Sequence, residues 1–418
     1  MVFVEGTDDR NSLLGLDISR GKMKASYIQK IINISFNELF HRPNGQIPAL
    51  DGLRTLAIFC VIAGHMGAEI CKIQGGIENW VNKLPFVRGG WMGVDLFFVL
   101  SGYFIGKQLW RELDCMGTVN IKRFILRRGL RIWPLYIFFF IFSGFILGRA
   151  QFPFGQGWSD LLFLTNYLNH GVVMGSWSLC TEEQFYIAAP LLLVLGASLP
   201  FTLTKNSYQS ILVGLLFLLP IIRAITWWSV TGSFHYNTAD QASWAQFLYT
   251  PFHTHCDGLI MGMLLSNLDV AGVFRKCVAN SHFSTLAVPL SILICLILQK
   301  IQGEIFDFTG LALVFGAVIW FVLTNKKKWL SFLDSTLFYT LSRLSYGMYL
   351  NHEYMHKWVA RTVLLLCPLW TSPAMKEILA IGILTVLSAT VSVATFCAVE
   401  YPFLQLRERI FSRWYHRQ

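Results

Sequence analysis

Apolar runs of about 20 residues recur along this chain, each long enough to cross the hydrocarbon core of a bilayer. In that core no water is available to backbone N–H and C=O groups, so an isolated run satisfies them internally, as a helix. The composition agrees. Of 418 residues, 54% are hydrophobic and only 14% charged, whereas a soluble domain carries roughly 25% charged residues. The expected fold class is all-α: a polytopic membrane protein with about ten transmembrane helices.

The ten spans are expected near 52–70, 91–109, 132–149, 181–198, 208–228, 251–267, 284–299, 307–324, 336–358 and 375–398. Lys and Arg collect in cytoplasmic loops, so their distribution tests orientation. With the N-terminus inside, and residues at span ends assigned to the nearer side, 23 of the 34 Lys and Arg fall on the inner side, about 7 on the outer side and the remaining four (Arg54, Arg223, Arg343 and Lys357) within spans. Both termini are therefore expected in the cytoplasm, and the Lys326-Lys327-Lys328 run pins one inner loop. The net charge of +10 is explained by this bias, and no nucleic-acid partner is expected.

Three segments are expected: a basic, amphipathic cytoplasmic stretch (1–46), a transmembrane domain (47–402) and a basic tail (403–418). Ile28, Ile31, Ile32, Phe36 and Leu39 give residues 23–42 the pattern of a helix lying on the inner membrane surface. The first 49 residues contain no long apolar core of the signal-peptide kind. The nine cysteines stand singly, with no C-x-x-C pair, so neither a zinc motif nor a redox motif is expected.

Ionisable residues inside spans are costly and usually face a bundle interior or a watery cavity. The first span carries Arg54 near its inner end and His65 in its outer third. Eleven residues are three turns plus roughly 20°, so both lie on one face, about 16 Å apart along the axis. The second span enters from outside with Asp95 at nearly the depth of His65, where a carboxylate would hold an imidazole in one tautomer. Arg127, Arg128 and Arg131 follow at the start of the third span, and guanidinium groups there suit phosphate. The fourth span opens Trp177-Ser178-Leu-Cys-Thr-Glu182-Glu183-Gln-Phe-Tyr186, with two carboxylates on different faces of an apolar helix. The sixth opens Pro251-Phe-His253-Thr-His255-Cys-Asp257. Spacing of i, i+2, i+4 does not put three ligands on one helical face, so no metal is expected there.

Taken in order, these segments resemble the membrane-bound acyltransferase-3 family. The resemblance rests on Ile47-Pro-Ala-Leu-Asp51-Gly-Leu-Arg54 with His65, Gly93-Val-Asp95-Leu-Phe-Phe-Val-Leu-Ser-Gly, Arg128-x-x-Arg131-x-x-Pro134 and Trp177-Ser-Leu-x-x-Glu182-x-x-Phe185-Tyr186. It continues through Ser342-Arg-Leu-Ser345-Tyr346-Gly-Met-Tyr349-Leu350-x-His352 and Glu400-Tyr-Pro402-Phe403, spanning about residues 47–410. One departure is His255, which stands where many members carry Arg.

The resemblance implies an acyl-CoA-dependent O-acyltransferase of the stand-alone type, without a C-terminal esterase-like domain. It would move an acyl group, usually acetyl, to a hydroxyl of an extracytoplasmic or lipid-linked glycan, such as a lipopolysaccharide, capsule or peptidoglycan. It implies a functional Arg54–His65 pair and an Arg128–Arg131 pair. The expected catalytic set is His65 with Asp95 or Glu182 orienting it. The expected donor site is Arg54, Arg127, Arg128 and Arg131. Trp177, Ser178, Tyr186, His253, His255 and Asp257 are the expected acceptor or structural residues. Acetyl-CoA or another acyl-CoA is expected as a substrate, and no permanently bound cofactor. The expected location is a bacterial cytoplasmic membrane. The rival expectation is an exporter of a glycan or acylated metabolite that performs no chemistry.

Overall fold

The computed structural model describes residues 36–42, 47–148, 157–168, 170–200, 203–234, 240–274, 281–325, 328–368 and 370–415. Among them the protein is all-helical, with no strand. The long helices are α1 (Pro48–Ile73), α2 (Met92–Met116), α3 (Ile121–Ile141), α4 (Trp177–Ala197), α5 (Lys205–Thr231), α6 (Asp257–Val270), α7 (Ser281–Thr324), α8 (Thr336–Leu366), α9 (Pro373–Thr395) and α10 (Tyr401–Tyr415).

Local chemistry sets several boundaries. Pro48 occupies the first turn of α1, where its missing N–H costs nothing. α2 stops at Gly117, which takes a left-handed conformation (φ 69°) that few other residues adopt cheaply. The Asn120 side chain caps α3 by accepting from the Arg123 N–H at 3.0 Å.

Among the described residues, six stretches are long and apolar enough to cross a membrane: Pro48–Ile73, Ile121–Ile146, Trp177–Ala197, Lys205–Thr231, Thr285–Thr324 and Pro373–Ser412. The other expected spans also coincide with helices. Residues 91–109 lie largely on α2, the later part of 251–267 on α6, and 336–358 on α8. α7 contains a non-helical residue, Gln302, and the spans expected at 284–299 and 307–324 lie on either side of it. α6 begins at Asp257, six residues later than the sixth expected span, because Pro251 to Cys256 form turns. Of the expected surface helix at 23–42, only 36–42 lie among the described residues, with a helical turn at 36–40. Lys326 and Lys327 lie outside them.

The core is built where helices approach closely. α2 packs along α6 with almost no side chain between them at Gly102 and Gly262. A Cβ at Gly102 would lie 2.1 Å from the Leu259 carbonyl oxygen, and one at Gly262 would lie 2.1 Å from that of Val99. Gly102-x-x-x-Gly106 is thus a close-contact surface, as small residues are in membrane bundles. α8 packs against α1 and α9 around Ile58, Ile62, Met66, Met348 and Ile381.

A buried ion pair joins α5, α6 and α7. Arg223 and Asp257 are both fully buried and form a bidentate contact, Nη1–Oδ2 2.8 Å and Nη2–Oδ1 3.2 Å. Arg223 also donates to the carbonyls of Ile305 and Thr254 and to the Thr309 hydroxyl. At the end of α3 nearer Gly175 and His65, the buried Asp160 organises residues 157–176. Its carboxylate accepts from the Val172 and Val173 N–H groups (2.6 and 3.2 Å) and from the Tyr136 hydroxyl (3.0 Å). Burial pushes the Asp160 carboxyl above its ordinary pKa, and those donors partly offset the shift.

Candidate active site

Two cavities lie along α1, and they meet at Val94 and Tyr349, which line both. The larger, about 660 Å³, is on the Arg54 side. The smaller, about 250 Å³, is on the His65 side. Arg54 and His65 therefore share the cavity-facing side of one helix but open into different compartments.

The larger cavity is strongly basic. Arg54 comes from α1, Lys107 and Arg111 from α2, and Arg127, Arg128 and Arg131 from α3, with Arg343 from α8. Only Asp51 and Glu182 oppose these seven cations in the lining. Some cations are committed to neighbours. Lys107 pairs with Asp269 at 2.6 Å, Arg128 donates to Gln108 at 3.3 Å, and Arg343 donates to the Tyr339 hydroxyl at 2.9 Å. Arg54 stacks on Phe104 (4.9 Å to the ring centre) and Arg127 on Phe411 (5.2 Å). Neither of these, nor Arg131 or Arg111, has a hydrogen-bond acceptor among the described residues. Guanidinium groups with unused donors around one cavity can bind phosphate groups bidentately.

The smaller cavity holds the titratable centre. His65 is half exposed to it, while His352 is buried and Glu353 is mostly buried. His352 Nδ1 faces the carbonyl oxygens of Tyr349 (2.7 Å) and Met348 (3.1 Å), so it carries a hydrogen and donates. In neutral His352, Nε2 is then an acceptor. It lies 2.8 Å from His65 Nδ1, which must donate to it. This chain fixes the tautomer of His65 and leaves its Nε2 with a lone pair. Glu353 Oε1 lies 3.3 Å from that Nε2. Trp91, Trp177 and Tyr249 supply aromatic walls.

At the junction, the Tyr349 hydroxyl is 2.5 Å from Ser178 Oγ and 3.2 Å from the Gly175 carbonyl oxygen. Below it, Glu182 accepts from Ser101 (2.9 Å) and Tyr186 (2.6 Å) and faces the basic cavity.

Two expected contacts of His65 are replaced. Asp95 is hydrogen-bonded to His255 at 2.9 Å, and Glu182 to Ser101 and Tyr186; His65 is held by His352 instead. Equal depth in the membrane sets height but not direction around the helix axis, and α2 turns Asp95 toward His255 in the turn that precedes α6. His255 is buried among aromatic rings, stacked 3.7 Å from Phe308 and 5.7 Å from Trp177. His253 is exposed and stacks on Tyr167, away from both cavities. Asp257 is committed to Arg223. Trp177 lines the smaller cavity, whereas Ser178 and Tyr186 line the larger.

In the sequence, Tyr349 and His352 stand out only as part of a family motif, with no role at the site, and Glu353 is not singled out. The signal was available: Tyr349, His352 and His356 recur at helical spacing on one face of an expected span, where histidine is costly.

An all-helical membrane protein with a charged interior, open on one side as a basic cavity and on the other around a histidine, is the class these features define. The acyltransferase domain of the acyltransferase-3 family matches residues 47–397, and the chain belongs to that family. Among curated proteins it is similar to one named "Putative O-acetyltransferase" from Staphylococcus aureus strain COL, 32% identical over 165 residues. That match covers 35% of this chain and 25% of the relative. It is also similar to a peptidoglycan O-acetyltransferase of Listeria monocytogenes, 30% identical over 166 residues, covering 35% of this chain and 24% of the relative. The matched region thus spans about a quarter of the length of these relatives. No solved structure matches the chain significantly.

Proposed function

We propose that the protein is an integral membrane O-acyltransferase that moves an acyl group from cytoplasmic acyl-CoA to a hydroxyl of an extracytoplasmic or lipid-linked glycan. In this reading it spans the membrane about ten times with both termini inside, in a bacterial cytoplasmic membrane. The observation that carries it is the pair of cavities meeting at Tyr349, one basic and one built around His65. The two ends of acyl-CoA are likewise far apart and chemically unlike: phosphates at one, a thioester at the other.

In this account Arg54, Arg127, Arg128 and Arg131 hold the donor's phosphates. The thioester arm passes Tyr349 to the smaller cavity, where the acceptor hydroxyl approaches His65 Nε2. His65 takes the hydroxyl proton as the oxygen attacks the thioester carbonyl carbon. The carbon–sulfur bond breaks, and the sulfur leaves with the proton returned by the imidazolium. Glu353, 3.3 Å from Nε2, stabilises that imidazolium, and His352 keeps the ring in the productive tautomer. General-base catalysis of this kind contributes about 10²–10⁴-fold. The aromatic walls suit a sugar ring as acceptor.

The test is mass spectrometry of surface glycans from cells with and without the gene. The account expects glycans of normal quantity lacking one O-acyl group. Loss of the glycan itself would point to an exporter and overturn it.

A further inference from the structure

We propose that His65, His352 and Glu353 form a binding site for a divalent transition-metal ion of the zinc class, and that metal bound there blocks the base used in acyl transfer. The blocking half rests on the function proposed above; the metal site does not. The three residues each offer one ligand atom, all within 4.8 Å of one another. His65 Nε2 and Glu353 Oε1 are 3.3 Å apart, and His352 Nε2 and the same oxygen 3.9 Å. Neighbouring ligands on tetrahedral zinc stand roughly 3.4 Å apart, given bonds of about 2.0–2.1 Å. Small rotations of His65, which is half exposed, bring one of its nitrogens into such a set.

Two further features point to a metal rather than to a chance cluster. The first is what stands behind the ligands. His352 donates its Nδ1–H to backbone carbonyls, which fixes its tautomer and leaves Nε2 an acceptor, a lone pair that now takes the His65 Nδ1–H at 2.8 Å and that a metal ion would take in place of that proton. A backbone carbonyl behind a histidine is the usual support of a metal ligand. The second is an electrostatic mismatch. With His65 neutral and Glu353 ionised, two lone pairs face each other at 3.3 Å. A cation between them resolves the clash: a proton transiently during turnover, a metal ion stably. Two imidazoles and one carboxylate are borderline donors that suit zinc better than calcium or magnesium. Three protein ligands beside an open cavity also leave a coordination position for water. Sequence spacing alone hid the set, because its members lie on α1 and α8, 287 positions apart at the His65–His352 contact.

The experiment is calorimetric titration of ZnCl₂ into the purified full-length protein in detergent, with His253→Ala as a control for adventitious surface binding. One saturable equivalent is expected for the wild type and for His253→Ala, with at least tenfold weaker binding for Glu353→Gln and His352→Ala. Calcium and magnesium at the same concentrations should give no saturable heat. Absence of a saturable zinc isotherm in folded wild-type protein would overturn the site, as would equal affinity in Glu353→Gln and His352→Ala. Folding of each variant is checked by its elution profile and thermal unfolding. A second readout, labelled acyl transfer with and without zinc, separates the two claims. Zinc binding without transfer in metal-free protein would remove the function but keep the site. Binding with undiminished transfer would overturn the blocking role.

Discussion

A single imidazole in a bilayer needs a partner, and His65 has found another imidazole. In the proposed reaction His352 contributes no charge; its hydrogen bond sets which nitrogen of His65 is free. His352→Ala should therefore lower kcat about 10²-fold, within the range of general-base effects, and leave the donor KM within about twofold. A folding defect would also lower the apparent kcat at constant KM, so the rate is expressed per donor-binding site: the loss should persist after that normalisation, whereas a folding defect would vanish on it. Asp257 gives the opposite expectation. It lies far along the chain from His65 and is committed to the fully buried Arg223. Removing one partner of a buried ion pair costs about 3–5 kcal/mol. Asp257→Ala should thus lower thermal stability strongly, while any protein that folds keeps its donor KM. At this scale the sequence disclosed Arg54 and His65 because a charge or an imidazole within an apolar run needs a reason. It did not disclose His65's partner. Depth can be read from topology, but direction around a helix axis depends on the neighbours, and His255 in the turn before α6, rather than His65 on α1, takes Asp95.

The elements owe their arrangement to small residues where backbones approach. α2 is expected to tolerate little at Gly102, since a side chain there meets the Leu259 carbonyl. Gly102→Val should cost about 1–3 kcal/mol by overpacking, read as a lower unfolding temperature in detergent, and should also shift Asp95 and His255 relative to each other. Gly214, whose Cβ would meet nothing within 4 Å, serves as the control: Gly214→Ala should leave stability unchanged or raise it by up to about 1 kcal/mol. Most of the helices were legible from hydropathy, because a bilayer imposes length and apolarity together. α6 was the exception. Its 14 residues are preceded by turns at Pro251–Cys256, and apolar composition there continues across a non-helical backbone. Apolarity alone does not distinguish a buried turn from a helix when both are surrounded by protein.

For the molecule as a whole, the basic cavity and the histidine cavity are neighbours that share Val94 and Tyr349 in their linings. Neither cavity is written in any single segment. The basic one draws its cations from α1, α2, α3 and α8, so Arg54, Arg127, Arg128 and Arg131 stood out beforehand, while Lys107 and Arg111 were seen only as part of a basic segment and Arg343 only as a charge within a span. If the unused guanidinium donors bind phosphates, Arg131→Ala should weaken acyl-CoA binding by about tenfold, equivalent to ~1.4 kcal/mol. The dissociation constant should also rise with salt in the wild type. Equilibrium binding of a non-hydrolysable acyl-CoA analogue measures both.

The most direct test of the central claim uses purified protein in proteoliposomes, acetyl-CoA labelled in its acetyl group and a hydroxyl-bearing glycan acceptor. The labelled acetyl group should appear on the glycan with the wild type. With His65→Ala, donor binding should persist while transfer falls at least 10²-fold. Full transfer by a folded His65→Ala protein would contradict the account.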